Sequence, residues 1–292
     1  MQSFDFYSPE EQIYRASFAE AGLSVYFKRD DLIHPYISGN KWRKLKHQLL
    51  AAEAEGKTAL ITFGGAWSNH ILATAAAAAK FNFQATAIIR GEEVSNPVLS
   101  LCKVYGMQLI FVSREDYKDK EALYRRYATE SSYFIDEGGY GALGALGCSE
   151  LIAELTEKYD YIFCAAGTGT TAAGLALGVE NSLLTTQIHV IPVLKGGEFI
   201  QMEVQKLAPS AKDVTLHVDY HFGGYARTKP ALLTFIKDFV ADTGILIEPT
   251  YTGKLCYAVE DLAQQGYFPA GSRILLIHTG GLTGFIGMHE RF

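Results

Sequence analysis

Cysteine is scarce in this chain, and what there is carries no structural spacing. Four cysteines, Cys102, Cys148, Cys164 and Cys256, stand among 292 residues with no CxxC pair, most of them inside apolar runs. That pattern argues against a structural zinc site or a disulfide framework and fits buried free thiols in a reducing compartment. Long apolar runs are missing too: no stretch reaches the roughly 18 apolar residues that a membrane span requires. The N-terminus, MQSFDFYSPEEQ, has neither the basic start nor the apolar core of a secretory leader. A cytoplasmic protein with no membrane partner is expected. Nor is there an excess of positive charge. Lys and Arg total 26 against 32 Asp and Glu, a formal charge of -6, and the basic residues are scattered, which argues against nucleic acid as a partner.

What is present is a rhythm. From about Thr58 onward, short apolar runs rich in Val, Ile and Phe alternate with helix-length amphipathic segments, the signature of α/β units around a largely parallel sheet. The expected strands are 58–63, 84–90, 108–112, 133–136, 161–165, 187–194, 215–222 and 273–278. The expected helices are 67–80, 97–105, 117–129, 149–158, 171–178, 198–207, 230–243 and 254–265. Asn96 before Pro97 reads as an N-cap followed by proline at the first helical position, and Thr228 before Pro230 as a second. The glycine-dense stretch Glu137–Gly147 reads as a crossing between two packing units. Residues 45–147 are therefore expected to form a small inserted domain, and residues 1–44 with 148–292 a larger one.

The most informative motif is Ala165-Ala-Gly-Thr-Gly-Thr-Thr-Ala-Ala-Gly174, which follows an apolar strand and opens a helix. Glycines admit an anion to the backbone, the helix N-terminus adds its positive end, and the threonines add donors, which makes a phosphate cradle. No GK[ST] follows, so it is not an ATP-type loop. The GxGxx(G/A) spacing also fits a dinucleotide, but the next strand, ending at Leu194-Lys195, lacks the acidic residue that holds a ribose. A single phosphate is the better guest, and a tight turn without ligand is the plain alternative.

Three further segments carry chemistry. In Ser38-Gly-Asn-Lys-Trp-Arg-Lys44 a turn precedes Lys41, and the neighbouring cations Arg43, Lys44 and Lys46 favour a lysine that loses its proton easily, as a Schiff-base lysine must, with a solvated basic helix start as the plain alternative. In Phe63-Gly-Gly-Ala-Trp-Ser-Asn-His70, Ser68, Asn69 and the helix amides form a carboxylate pocket, with simple N-capping as the alternative. In Glu248-Pro-Thr-Tyr-Thr-Gly-Lys254, Tyr251 is placed to transfer protons, and Phe222-Gly-Gly-Tyr225 offers a second tyrosine on a glycine loop. His217, Asp219 and His221 alternate along an expected strand, but no third nitrogen or sulfur donor accompanies them, so a polar sheet face is expected and no metal.

Together these segments resemble the family of pyridoxal-phosphate enzymes that contains D-cysteine desulfhydrase and 1-aminocyclopropane-1-carboxylate deaminase. The matching stretches are Lys28-Arg-Asp-Asp31, Gly39-Asn-Lys41, Ser68-Asn-His70, Glu137-Gly-Gly139, Gly167-Thr-Gly-Thr-Thr171, Tyr251-Thr-Gly-Lys254 and His278-Thr-Gly-Gly281. The resemblance implies a two-domain tryptophan-synthase-β-like fold, pyridoxal-phosphate fold type II, each domain a mostly parallel twisted sheet flanked by helices. It implies pyridoxal 5'-phosphate as cofactor, a small amino acid as substrate and a homodimer. Lys41 would hold the cofactor and collect the substrate's α-proton. Asn69 would meet the cofactor's phenolic oxygen, Gly167, Thr168, Gly169, Thr170 and Thr171 its phosphate, and Thr252 its pyridine nitrogen. Ser68, Asn69 and His70 would grip the substrate carboxylate, and Tyr225 and Tyr251 would stand over the substrate as proton donors.

The cyclopropane-deaminase type has glutamate where this chain has Thr252 and glutamine where it has His70. Both differences favour the desulfhydrase type, and a neutral hydroxyl makes the ring a weaker electron sink, which suits fast β-elimination. The expected reaction yields pyruvate, ammonia and sulfide, with ring opening of 1-aminocyclopropane-1-carboxylate to 2-oxobutyrate and ammonia as the alternative. Glu248 and Thr250 stand where the family pattern has aspartate and valine. From different classes, a non-catalytic small-molecule binding protein and a nucleotide-dependent oxidoreductase remain as alternatives.

Overall fold

The computed structural model describes residues 4–212, 214–281 and 283–292. The strands are β1 (Glu10–Ile13), β2 (Ser24–Lys28), β3 (Ala59–Gly64), β4 (Gln84–Arg90), β5 (Gln108–Val112), β6 (Ser132–Ile135), β7 (Tyr161–Ala166), β8 (Gln187–Pro192), β9 (Thr215–Leu216) and β10 (Arg273–Ile277). The helices are α1 (Ala16–Glu20), α2 (Asn40–Ala54), α3 (Asn69–Lys80), α4 (Pro97–Val104), α5 (Lys120–Tyr127), α6 (Ala142–Ala153), α7 (Thr170–Asn181), α8 (Phe199–Leu207), α9 (Pro230–Thr243), α10 (Thr252–Gln264) and α11 (Thr283–Ile286). Two sheets result, one ordered β1-β2-β10-β7-β8-β9 and the other β5-β4-β3-β6. Among the described residues only the β1–β2 pair is antiparallel.

Parallel strands covered on both faces read as continuous apolar runs, and the side chains sort by parity. In β7, Phe163 and Ala165 face one core while Ile162, Cys164 and Ala166 face another; in β10, Ile274 and Leu276 join the first and Leu275 and Ile277 the second. The smaller sheet does the same, with Leu60, Ala87 and Ile89 against the α2–α3 side and Ile61, Phe63 and Ile88 on the opposite face. Ile33, Ile37 and Trp42 also pack into the α2–α3 core, although they precede the strands of that sheet. All four cysteines are buried free thiols.

Several expected elements are corrected. The run 215–222 is not one strand: β9 stops at Leu216, and Val218–His221 is a 3-10 turn. His217, Asp219 and His221 therefore do not line one sheet face; His217 meets His189 Nδ1 at 2.9 Å, while His221 Nδ1 accepts the N–H of Gly223 at 2.9 Å. The helix expected at 149–158 begins earlier, as α6, inside the glycine-dense stretch read as a crossing. Those glycines serve helix contact: a Cβ on Gly147 would lie 1.9 Å from the Arg43 carbonyl of α2, and one on Gly174 would lie 2.4 Å from the Ala145 carbonyl. Asn96 caps α4 by accepting from Leu99 N at 2.9 Å. Thr228 does not cap α9; it receives Arg291 Nη1 at 3.1 Å, and the capping position falls on Lys229. The strands β1 and β2 and helix α2 went unmarked, being short or too polar to stand out.

Two outcomes follow from this packing. Gly147→Val forces α2 from α6 and should cost about 1–3 kcal/mol, read as a lower urea midpoint. His189 is fully buried, and its Nε2 has no partner among the described residues. Burial and the neighbouring His217 pull its pKa down from 6.5 to about 4. The unfolded chain thus binds the proton more readily, so this contribution is intact above pH 6.5 and is lost as pH falls towards 4. Stability measured across that window should fall by roughly 3 kcal/mol at most, and His189→Gln should flatten the slope.

Candidate active site

Parallel α/β units present their loops at the carboxyl ends of the strands, and the sequence motifs gather there. The end of β3 leads through Gly64–Ser68 into α3, the end of β7 through Gly167–Gly169 into α7, and the turn Ser38–Gly39 into α2. Gly39 has φ +60, and a Cβ there would lie 1.9 Å from the Thr279 carbonyl oxygen, so only glycine lets the turn rest on the loop after β10. The turn is held from beneath as well. Gly39 N donates to Asp30 O at 3.0 Å, and the buried Asp30 carboxylate accepts Arg43 Nε at 2.6 Å and Nη2 at 2.7 Å. Arg43 Nη1 also reaches Glu154 Oε1 at 2.8 Å.

Lys41 and Tyr251 are common to three adjoining cavities. One, of about 210 Å³, is lined by Lys41, Ser68, Asn69, His70, Gly167, Thr168, Tyr225 and Tyr251, so eight of the singled-out residues meet there. A second, of about 50 Å³, adjoins the glycine loop and adds Gly169, Thr171 and Lys44. The largest, of about 350 Å³, runs from Lys41 and Asn69 past Tyr36 and Ser38 to Thr279–Gly281.

Lys41 Nζ lies 3.1 Å from Asn40 Oδ1, and desolvation together with the Lys44 charge pulls its pKa from 10.5 to about 7. Near neutrality a large share of this amine is therefore an unprotonated nucleophile. Lys44, lowered by burial, donates to Gly138 O at 3.3 Å. Gly169 opens α7 with φ +81, turning the loop so that the helix end faces the small cavity. The Thr168 and Thr170 hydroxyls lie 3.2 Å apart, and Thr171 Oγ1 accepts Asn40 Nδ2 at 2.9 Å, tying the cradle to the lysine turn. A Cβ on Gly167 would approach Tyr251 Oη to 3.3 Å and narrow the space. Loop amides, threonine hydroxyls and a buried lysine form a donor set that suits a phosphate dianion.

Tyr225 and Tyr251 stack edge to face with centroids 6.1 Å apart. Burial holds the Tyr251 phenol protonated, well above its usual pKa of 10, and raises Tyr225 as well. Tyr251 is aimed by Glu248, whose buried carboxylate accepts the N–H groups of Thr250 at 2.7 Å, Tyr251 at 2.5 Å and Thr252 at 3.0 Å.

Two singled-out threonines stand back from the cavities. Thr170 is fully buried against Gly144, and the Thr252 hydroxyl accepts Glu248 N at 2.8 Å without lining any of the three. Ser68 is the N-cap of α3, accepting Ile71 N at 3.4 Å, while it also lines the cavity. The His70 ring turns inward: Thr62 Oγ donates to Ile135 O at 2.8 Å and so receives His70 Nε2–H at 2.7 Å, which leaves Nδ1 unpartnered among the described residues. Burial and nearby lysines keep this imidazole neutral. Arg90, Glu137 and Leu194 also line the 210 Å³ cavity, and Lys44 the small one. The sequence reading missed all four as site residues, though Lys44 had been marked as a nearby charge and Leu194 as a strand end.

A family model described as pyridoxal-phosphate dependent enzyme matches residues 9–280. A Pyrococcus horikoshii protein named provisionally as a 1-aminocyclopropane-1-carboxylate deaminase is 34% identical over 91% of this chain and 86% of its own length. The mitochondrial bifunctional D-cysteine desulfhydrase/1-aminocyclopropane-1-carboxylate deaminase of Arabidopsis thaliana is 29% identical over 90% of this chain and 73% of its own. Among solved structures, a crystal structure of an ACC deaminase homologue superposes with a TM-score of 0.84 at 30% identity, covering 99% of this chain and 93% of the other. The family match takes in every strand from β1 to β10 and the segments that carry Lys41, Ser68, Gly167–Thr171 and Tyr251, and this chain therefore belongs to the pyridoxal-phosphate-dependent enzymes.

Proposed function

We propose that the chain eliminates or deaminates a small amino acid, with D-cysteine-type β-elimination to pyruvate, ammonia and sulfide as its principal reaction. The observation that carries this reading is the Lys41 amine, with a pKa brought down to about 7, standing between an anion cradle and a protonated tyrosine pair. The residues fit pyridoxal phosphate: the Gly167–Thr171 loop and Lys44 hold the phosphate, Lys41 the aldehyde carbon, and Asn69 the phenolic oxygen. Bound there, the cofactor supplies an electron-withdrawing ring that acidifies the substrate's α-hydrogen. The α3 N-terminus, with Ser68, Asn69 and the His70 amide, takes the substrate carboxylate. Lys41 Nζ accepts the α-proton, and Tyr251 Oη, kept protonated by burial, donates towards the departing group or the product carbon with Tyr225 behind it.

Ring opening of 1-aminocyclopropane-1-carboxylate is the second reading, favoured by the tyrosine pair over the lysine and by the Arabidopsis relative, whose name joins both activities. The Thr252 hydroxyl accepts Glu248 N–H and keeps its own proton, so a neutral donor, not a carboxylate, would meet the pyridine nitrogen from this position, which supports the elimination reading. We also place the protein in the cytoplasm as a homodimer, with residues 1–44 and 148–292 as the larger domain and 45–147 as the inserted one. Among the described residues no helix is long and apolar enough to cross a membrane.

Purified protein should be yellow, and Lys41→Ala should be colourless on equal addition of cofactor, with turnover at background; a colourless wild type would overturn the reading. Side-by-side assays of D-cysteine, L-cysteine, D-serine and 1-aminocyclopropane-1-carboxylate identify the reaction by its product, pyruvate or 2-oxobutyrate. Tyr251→Phe should lower kcat by about 10²–10⁴-fold with little change in cofactor uptake. Cofactor capture by stripped enzyme needs the neutral Lys41 amine. Its rate should level off above pH 7 and fall about tenfold per unit below it, whereas a lysine of ordinary pKa would keep gaining up to pH 10.

A further inference from the structure

Lys254 has no role in the reading above, yet it is completely buried in α10 and its ammonium is fully used. Nζ donates to the carbonyls of Val193 at 3.0 Å, His221 at 2.9 Å and Gly224 at 2.8 Å. A buried ammonium is costly to desolvate, and an apolar side chain of the same length would fill the space without that cost. The three acceptors show what the charge achieves. Val193 follows β8 and directly precedes Leu194 in the cavity wall, and His221 and Gly224 bracket the turn that presents Tyr225. The Gly224 carbonyl belongs to the peptide joined directly to Tyr225.

The turn has backbone hydrogen bonds of its own, Gly224 N to His221 O at 3.0 Å and Arg227 N to Gly224 O at 3.1 Å, and the Lys254 ammonium adds a second donor to each of those carbonyls. Gly223 and Gly224 take φ of +97 and +123 freely, but Phe222 and Ala226 hold φ of +53 and +54, which residues with a Cβ adopt only where the surroundings enforce it. The Phe222 ring anchors the start against Tyr257 with centroids 4.9 Å apart, but Tyr225 itself is 54% exposed although it lines the cavity, and its edge contact with Tyr251 fixes it only in part. Lys254 follows Tyr251 by three residues, so one turn of α10 carries both the second tyrosine and the clamp on the first.

We propose that Lys254 is a positioning residue, whose ammonium clamps the Val193, His221 and Gly224 carbonyls and thereby holds Tyr225 against Tyr251 in the geometry that proton transfer needs. The proposal rests on the proton-handling role given to the two tyrosines.

The test is a double-mutant cycle on holoenzyme with Lys254→Met, Tyr225→Phe and the pair, reading kcat, KM and the cofactor's visible absorbance. Lys254→Met should keep wild-type absorbance and lose at least tenfold in kcat. In the Tyr225→Phe background the same change should cost almost nothing further, because the group it positions is gone. An undiminished loss in that background, or no loss in the single variant, overturns the clamp. Wild-type kcat in Tyr225→Phe alone overturns the tyrosine role itself, and so is told apart from failure of the clamp. Should Lys254→Met not fold, Gly224→Ala perturbs the same carbonyl from the turn side, where φ is +123. The same kcat loss, absorbed by Tyr225→Phe, is then expected, and its absence or its persistence in that background overturns the proposal.

Discussion

The site depends on the turn that delivers Lys41. Gly39 rests so closely on the Thr279 carbonyl that no side chain fits between them, and its N–H is bound to the backbone of Asp30. Asp30 in turn holds Arg43, on the first turn of α2, through two hydrogen bonds. The lysine is thus fixed from the loop after β10, from the loop after β2 and from its own helix. Because β10 lies between β2 and β7 in the larger sheet, the same arrangement sets the amine against the glycine loop that follows β7. A buried ion pair is weak evidence of stability, but breaking one is costly, and here it fixes an orientation.

Charge in the site is deliberately unbalanced. Lys41 and Lys44 are both desolvated and lowered, and both line the small cavity into which the α7 N-terminus opens. Among the described residues no carboxylate lines that small cavity, which suits a ligand that brings its own negative charge. Elsewhere buried charge is satisfied internally: Arg43 by Asp30 and Glu154, Glu248 by three backbone amides, Lys254 by three carbonyls. The contrast separates groups that hold the framework from groups left open to the cavity. Close helix contacts through Gly147 and Gly174 bring α2, α6 and α7 together, so that cradle and amine share one rigid support.

Much of this was legible beforehand, for reasons that can be named. Strands buried on both faces, such as β7 and β10, announce themselves as apolar runs, and Pro97 after Asn96 marks a helix start that the structure keeps. The anion cradle was visible because a strand, closely spaced glycines and a helix adjoin in sequence. Arg90, Glu137 and Leu194 were not, since each is an ordinary strand-end or loop residue whose importance comes from the strand order. The helix α6 was misread because glycine, a helix breaker by propensity, serves there as a contact surface. His217 was misread because alternation along a strand counts only if the strand continues, and β9 ends one residue before it.

The sequence by itself determined the class of the fold, the places of most core strands, the phosphate-type loop and the short roster of chemical groups around Lys41, since each is written in neighbouring residues. Tertiary structure alone decided that two loops from different sheets meet over one amine, that Thr252 spends its hydroxyl on Glu248, and that Lys254 clamps the turn bearing Tyr225. Those contacts join residues far apart in the chain, and their distances are set by strand order and helix packing, which no local pattern encodes.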